Sequence, residues 1–170
     1  MIVLVSGAPG SGKTTLAREL APKLRLPLIA KDDIKETLFE ALGWPSDLGS
    51  SRNLGAGVWD VLFKILDRAV EADASIVLES NFHSDHRARF AEIDAVVVEV
   101  HCFAPPATLE RRIRERERHP AHVDAELAFD GRELLEAHQP VVDRVIHVDT
   151  EEHDAIDVDD IVRRIREAGT

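Results

Sequence analysis

The chain has 170 residues, 44% of them hydrophobic and 31% charged, a composition that supports a buried core and excludes a disordered or fibrous protein. Lys and Arg number 21 against 32 Asp and Glu, so the formal charge is −11 and the surface as a whole repels nucleic acid and anionic membranes. The lone Cys102 excludes an internal disulfide. No apolar run approaches the roughly 18 residues that span a bilayer, so a cytoplasmic chain working away from the membrane, as a monomer or homodimer, is the expectation.

Short β-branched runs alternate with longer stretches of helical period, as parallel strands joined by crossover helices require, and the fold class is α/β. Strands are predicted over 2–6, 28–30, 76–79, 95–102 and 145–149, with the near-continuous apolar character of strands covered on both faces. After the first strand, Leu16, Leu20 and Leu24 recur every fourth residue and mark a helix that Pro27 stops. Asp32 or Asp33 can cap a second helix running to Leu42, with Gly43 at its end and Pro45 beyond. Residues 46–57, rich in Gly, Ser, Asp and Asn, read as a mobile loop bordering the ligand, ahead of a helix carrying Val58, Leu62, Ile65, Leu66 and Ala69. An arginine-dense helix follows Pro105, then a polar stretch over 119–124 and a helical piece ending at Gln139. A final helix places Val158, Ile161, Val162 and Ile165 on one face after an acidic run over 149–160. One domain spanning 1–170 accommodates all of it.

Gly7-Ala8-Pro9-Gly10-Ser11-Gly12-Lys13-Thr14 fits GxxxxGK followed by Ser or Thr, directly after a predicted strand and directly before a predicted helix. The glycines let the backbone turn its N–H groups inward as an anion nest, and the helix beginning near Lys13 adds its positive end. A triphosphate fits such a nest. Lys13 can reach the β- and γ-phosphates, the Thr14 hydroxyl is a hard ligand suited to Mg²⁺, and Thr15 supports the helix start.

A phosphate nest alone does not separate a kinase from an ATPase or a regulatory nucleotide sensor. A guanine-reading NKxD segment and an LSGGQ-like signature are both missing from the sequence. What stands at the carboxyl end of the second strand is Lys31-Asp32-Asp33-Ile34-Lys35. Ligands of doubly wound sheets sit beyond the carboxyl ends of strands, so Asp32 arrives near a γ-phosphate, where a carboxylate can align an acceptor hydroxyl and take its proton. The alternative is that Asp32 only caps the helix, a task open equally to Asp33.

The loop GAPGSGKTT, the segment KDDIK, the strand end Leu78-Glu79-Ser80-Asn81-Phe82 and the pattern over 109–116 together resemble small P-loop kinases, in particular polynucleotide 5′-hydroxyl kinases and chloramphenicol phosphotransferase-like enzymes. The resemblance implies a three-layer P-loop NTPase fold, its five-stranded parallel sheet in order 2-3-1-4-5, with an arginine-rich lid over about 111–130 and ATP as phosphoryl donor. It gives Asp32 the role of base and sets Lys35 where polynucleotide kinases contact a substrate phosphate. Glu79, at the end of the third strand where relatives carry Asp, could hold a Mg²⁺-bound water or the acceptor, or serve structure alone. Asn81 lies beside it, while Phe82 reads as core.

Arg111, Arg112, Arg114, Arg116 and Arg118 fall within eight residues that hold only Glu115 and Glu117, a cationic island in an acidic chain. Arg112 and Arg116, four apart, share a helix face. In the resembled family the first lies against adenine and the second on the transferring phosphate, a role that suits a planar, permanently charged guanidinium. The plain alternative is a solvated helix with Glu110 paired to Arg114. Thr150, just past the fifth strand, stands where the family touches adenine. The eight histidines carry no trusted metal-ligand spacing and read as surface or acceptor-pocket residues. The sequence thus points to ATP- and Mg²⁺-dependent phosphorylation of a small-molecule hydroxyl. A polynucleotide 5′-hydroxyl kinase and a nucleotide-binding regulatory ATPase are the alternatives, and the charge of −11 argues against nucleic acid as partner.

Overall fold

A computed structural model describes residues 1–43, 47–117, 119–122 and 130–169. Strands β1 (Ile2–Gly7), β2 (Leu28–Ala30), β3 (Ile76–Glu79), β4 (Val97–Phe103) and β5 (Val145–Asp149) pair in parallel in the order β2-β3-β1-β4-β5. Helices α1 (Lys13–Leu24), α2 (Lys31–Leu42), α3 (Leu48–Glu71), α4 (Arg87–Ala91), α5 (Pro106–Glu115), α6 (Gly131–Ala137) and α7 (Val158–Ala168) make the connections.

The period of two along β1 sends alternate residues to opposite faces, and each face has its own core. Val3 and Val5 join Leu16, Leu20, Val98, Val100 and Cys102 beneath α1 and α7, while Ile2 and Leu4 join Leu62, Leu66, Leu78, Phe82 and Phe90 beneath α3. A small third cluster of Ala8, Ala104 and Leu109, with Leu134 and Leu135 against it, seats α5 and α6 beside the glycine loop.

The strands of the sheet lie where their apolar runs place them, β4 being shifted two residues toward the C-terminus at its start. The segment over 46–57 is different from the expected loop. Of its described residues, those from Leu48 onward are the first turns of α3, a helix of 24 residues. Two local causes override the glycines. Asp47 caps the helix, its Oδ1 accepting from Ser50 N at 2.9 Å and its Oδ2 from Ser50 Oγ at 2.6 Å. Leu54 also extends the stripe of Val58, Leu62 and Leu66 one turn upstream, and Leu54 and Ser51 are both buried.

The second helix begins earlier than capping by Asp32 or Asp33 allows. Ala30 is its cap residue, in extended conformation and without a side-chain cap, so both aspartates sit within the first turn. The arginine helix closes at Glu115, and Arg116 follows in extended conformation with its N–H on the Arg112 carbonyl at 3.1 Å. Arg116 thus stands as the cap residue at the end of the helix, one turn beyond Arg112, and the two side chains line a common cleft. The Glu110 to Arg114 pair of the plain alternative does not form: Glu110 accepts from Gly131 N at 3.0 Å, and Arg111 pairs with Glu115 at 3.2 Å. Arg118 and most of the expected lid beyond residue 122 lie outside the described residues.

Because Leu62 is wholly buried at the centre of the α3 core, Leu62→Ala is expected to cost about 2–5 kcal/mol in chemical denaturation, measured as a lower midpoint at unchanged slope.

Candidate active site

The glycine loop takes its shape from backbone conformations that side chains oppose. Gly7, Gly10 and Gly12 have φ of 139°, 82° and 76°. At Gly7 a Cβ would stand 2.2 Å from the Cys102 carbonyl oxygen, and at Gly10 one would stand 3.0 Å from that of Leu109. The loop is thus pressed against β4 at Gly7 and against α5 at Gly10, the two points where a Cβ would be crowded. It is also held from outside. Ser11 N donates to the Ala8 carbonyl at 3.1 Å, Thr150 Oγ1 lies 2.6 Å from the Ser11 carbonyl, and Arg112 donates to the carbonyls of Gly10 at 3.3 Å, Thr150 at 2.6 Å and Glu151 at 3.0 Å.

Inside the loop an anion is invited. The first bond of α1 runs from Leu16 N to Gly12 O at 3.1 Å, so the amides of Lys13, Thr14 and Thr15 precede any intrahelical partner, and no acidic residue sits in that first turn to neutralise the helix dipole. Lys13 is buried, with Nζ 3.5 Å from the Ala8 carbonyl. The buried Ser11 hydroxyl has no hydrogen-bond partner among the described residues. Such a cradle suits a polyphosphate, and the hard hydroxyl of Thr14, with a carboxylate behind it, suits Mg²⁺.

Sheet register brings the acidic residues to the same place. Val5, Glu79 and Ala30 are level with one another across β1, β3 and β2, so the chain leaving β2 delivers Asp32 beside Glu79 at the rim of the loop. Glu79 is buried with only 2% exposure, and that burial pushes its carboxyl above the usual range, opposed by Lys13 and reinforced by the charge of Asp32, while the Thr14 hydroxyl bonds to its charged form. Asp32 is half-buried, whereas Asp33 is exposed and paired with Arg18 at 3.3 Å.

Two clefts meet at Thr14. One, of about 320 Å³, is walled by Gly10, Gly12, Lys13, Thr15, Arg112 and Arg116. The other, of about 170 Å³, is walled by Asp32, Asp33, Glu36, Arg116, His119 and His122. Arg116 and Thr14 are common to both.

Other expected site residues occupy different settings. Lys35 is buried, with Nζ donating to Ser51 Oγ of α3 at 2.8 Å. Thr150 is 1% exposed and its hydroxyl faces the Ser11 and Phe103 carbonyls, so it braces the loop from beneath. Asn81 is half-buried, accepting from Ser80 Oγ at 3.4 Å. Phe82 is core, as read.

A buried polar rack behind the loop was not singled out from sequence. Ser6, immediately before Gly7, donates to Glu99 Oε1, so His101 Nδ1, 2.9 Å away, donates to Ser6 Oγ. Glu99 Oε2 accepts from Val141 N at 2.7 Å and Val142 N at 3.1 Å. The serine hydroxyl points its proton at the carboxylate rather than at the imidazole, the reverse of what activates a nucleophile, so the rack is structural. Its signal in the sequence was a Glu and a His two apart within an otherwise apolar strand, on the face shared with Ser6.

A parallel sheet in this order with a glycine nest after β1 and an acidic cluster across β2 and β3 defines a phosphate-binding domain of the P-loop class. The family described as AAA domain matches residues 2–137, and the chain belongs to it. The chain is 35% identical over 167 residues to a cytidylate kinase of Halobacterium salinarum, covering 95% of this chain and 76% of that protein. Among solved structures, a candidate kinase from Chloroflexus aurantiacus J-10-fl superposes with a TM-score of 0.88 at 32% identity, covering 98% of this chain and 97% of that one. A sugar kinase from Janibacter sp. HTCC2649 shares the fold at a TM-score of 0.63 and 18% identity, over 98% and 92% of the two chains.

Cys102 lies on the far side of the Gly7 contact, wholly buried, and burial pushes its thiol up to about 12. It is expected to resist thiol reagents between pH 7 and 9 in the native state and to react fully after denaturation. Rapid native labelling would contradict this packing.

Proposed function

We propose that the protein is a Mg²⁺-dependent phosphotransferase that moves the γ-phosphate of ATP to a hydroxyl of a small molecule. The observation that carries this reading is the meeting of Lys13, Thr14, Asp32 and buried Glu79 at the shared carboxyl ends of β1, β2 and β3, with Arg116 common to the two clefts. The membership of a P-loop family and the similarity to kinases support it.

In this reading the loop from Gly7 to Thr15, including Ala8 and Pro9, binds the polyphosphate through backbone amides, and Lys13 places its charge on the β- and γ-phosphates. Arg112 and Thr150 fix the loop from the side on which the nucleoside would lie. Thr14, backed by Glu79, would hold Mg²⁺, which supplies charge neutralisation on the β- and γ-phosphates. Asp32 accepts a hydrogen bond from the acceptor hydroxyl. As the new bond from that oxygen to the γ-phosphorus forms and the bond to ADP breaks, the proton passes to Asp32, while Arg116 stabilises charge on the transferring group.

The similarity to a cytidylate kinase favours a second reading, in which the acceptor is itself a phosphate, and there Lys35 would approach it. The smaller cleft favours the hydroxyl. Its walls carry Asp32, Asp33, Glu36 and Glu117 against Arg18 and Arg116, and Arg18 is already paired with Asp33. A dianionic acceptor would meet repulsion there, whereas a neutral hydroxyl gains a base.

ADP release from Mg·ATP with hexoses, nucleosides, aminoglycoside and phenicol antibiotics, nucleoside monophosphates and short 5′-hydroxyl oligonucleotides tests the reading. A neutral hydroxyl compound is expected to be the best acceptor. Asp32→Asn is expected to lower kcat at least about 10²-fold with ATP affinity near wild type. Unchanged phosphoryl transfer in that variant would remove Asp32 as base, and preference for a nucleoside monophosphate would favour the second reading.

A further inference from the structure

Helix α2 carries Asp32, Glu36 and Glu40 at intervals of four, one acidic ladder along a single face. Residues 119–122 lie along that ladder and are anchored to it. His122 Nε2 stands 2.9 Å from Glu36 Oε1, and His119 Nε2 stands 3.2 Å from Glu40 Oε1, with the imidazole of His119 edge-on to Phe39 at 5.6 Å. Between the two histidines, the Ala121 carbonyl accepts from Ser51 Oγ of α3 at 2.7 Å, and Ser51 Oγ in turn accepts from Lys35 Nζ at 2.8 Å. Ala121 is wholly buried. Four residues are therefore held at three successive points by two helices, a cost in side-chain freedom that a solvated loop would not bear.

The anchored segment forms a roof over the candidate base. His122, Glu36 and Asp32 share the walls of the 170 Å³ cleft with Thr14 and Arg116. Glu36, one turn after Asp32, is the residue that His122 engages. The chemistry of the roof suits a base beneath it. Burial draws the His122 imidazole below its usual range despite the opposing influences of Asp32 and Glu36, with Lys35 also lowering it. A neutral ring donating to Glu36 adds no positive charge to the roof above the Asp32 carboxylate. The remaining charged groups of the cleft are Arg18 of α1, engaged with Asp33, and Glu117 beside Arg116.

We infer that His122, seated on Glu36, is a positioning residue for phosphoryl transfer: it roofs the Asp32 carboxylate and confines the acceptor hydroxyl between that carboxylate and the Thr14 edge of the cleft. This rests on the reading of Asp32 as base. His122 lines the acceptor cleft and not the cleft of the glycine loop, and it acts through Glu36 on the placement of Asp32, so its removal affects the acceptor step and not nucleotide binding.

The test uses the full chain, Mg·ATP, and two probes, the fastest hydroxyl acceptor of the panel above and water, read as ATP hydrolysis without acceptor. His122→Ala and Glu36→Ala are each expected to lower turnover of the hydroxyl acceptor about tenfold or more, as small misplacements of reacting groups do, with ATP affinity within about twofold. The double variant is expected to be no worse than either single one, because the two side chains act as a unit. His122→Gln keeps an N–H for Glu36 and is expected to recover to within about threefold of wild type. Wild-type turnover in His122→Ala, beside an impaired Asp32→Asn, would overturn this inference and leave the base standing. Parallel losses of ATP affinity, acceptor turnover and thermal midpoint in His122→Ala, with no recovery in His122→Gln, would reduce the roof to a structural prop. Wild-type turnover of the hydroxyl acceptor in Asp32→Asn, whatever the rate of hydrolysis by water, would instead overturn the reading on which the inference rests.

Discussion

The constraint that organises this molecule is the pressing of a glycine turn against β4 and α5 so tightly that no side chain fits at Gly7 or Gly10. A backbone bent that far, at φ values hostile to other residues, aims amide hydrogens inward, and the start of α1 adds its dipole. The surroundings enforce the bend rather than merely tolerate it. Thr150 and Arg112 hold its carbonyls from outside, Ser6 is locked to Glu99 and His101 just before it, and Ala8 packs with Leu109 and Ala104 at its flank. A preorganised cradle of this kind needs little rearrangement when an anion enters.

Charge is distributed to match. A chain of net charge −11 places its buried lysine in the loop and turns Arg112 and Arg116 toward the cleft. Immediately across the cleft stand Asp32 and Glu79, one half-buried and one buried, and burial holds the Glu79 carboxyl above its usual range. In the proposed function, Glu79, desolvated beside Lys13 and Thr14, serves the phosphate side, and Asp32, nearer solvent on the first turn of α2, serves the acceptor side. Two carboxylates in separate settings can divide two tasks, as that proposal requires.

Much of this was legible in the amino-acid sequence because the relevant signals are local. The five strands and their order followed from apolar runs and the resemblance carried by the loop, and Lys13, Thr14 and Asp32 were placed by their offsets from strand ends. The misreadings came where distant contacts override composition. The glycines and serines ahead of Val58 suggested a loop, yet the Asp47 cap and burial of Leu54 wind them into α3. The four-residue spacing of Arg112 and Arg116 does set both on one cleft wall, yet Arg112 is drawn onto the carbonyls of Gly10, Thr150 and Glu151, contacts of distant sequence that the spacing does not announce. The pairing of His122 with Glu36 spans 86 positions and has no local signature at all.

The most direct measurement of the central claim is a crystal structure of the protein with Mg²⁺ and a non-hydrolysable ATP analogue. The account predicts the triphosphate inside the loop, its γ-phosphate within hydrogen-bond distance of Lys13 Nζ, and the Asp32 carboxylate directed at the face of that phosphate from which an alcohol would attack. A nucleotide bound elsewhere with the loop empty, or Asp32 turned outward toward Arg18 in the occupied site, would contradict it.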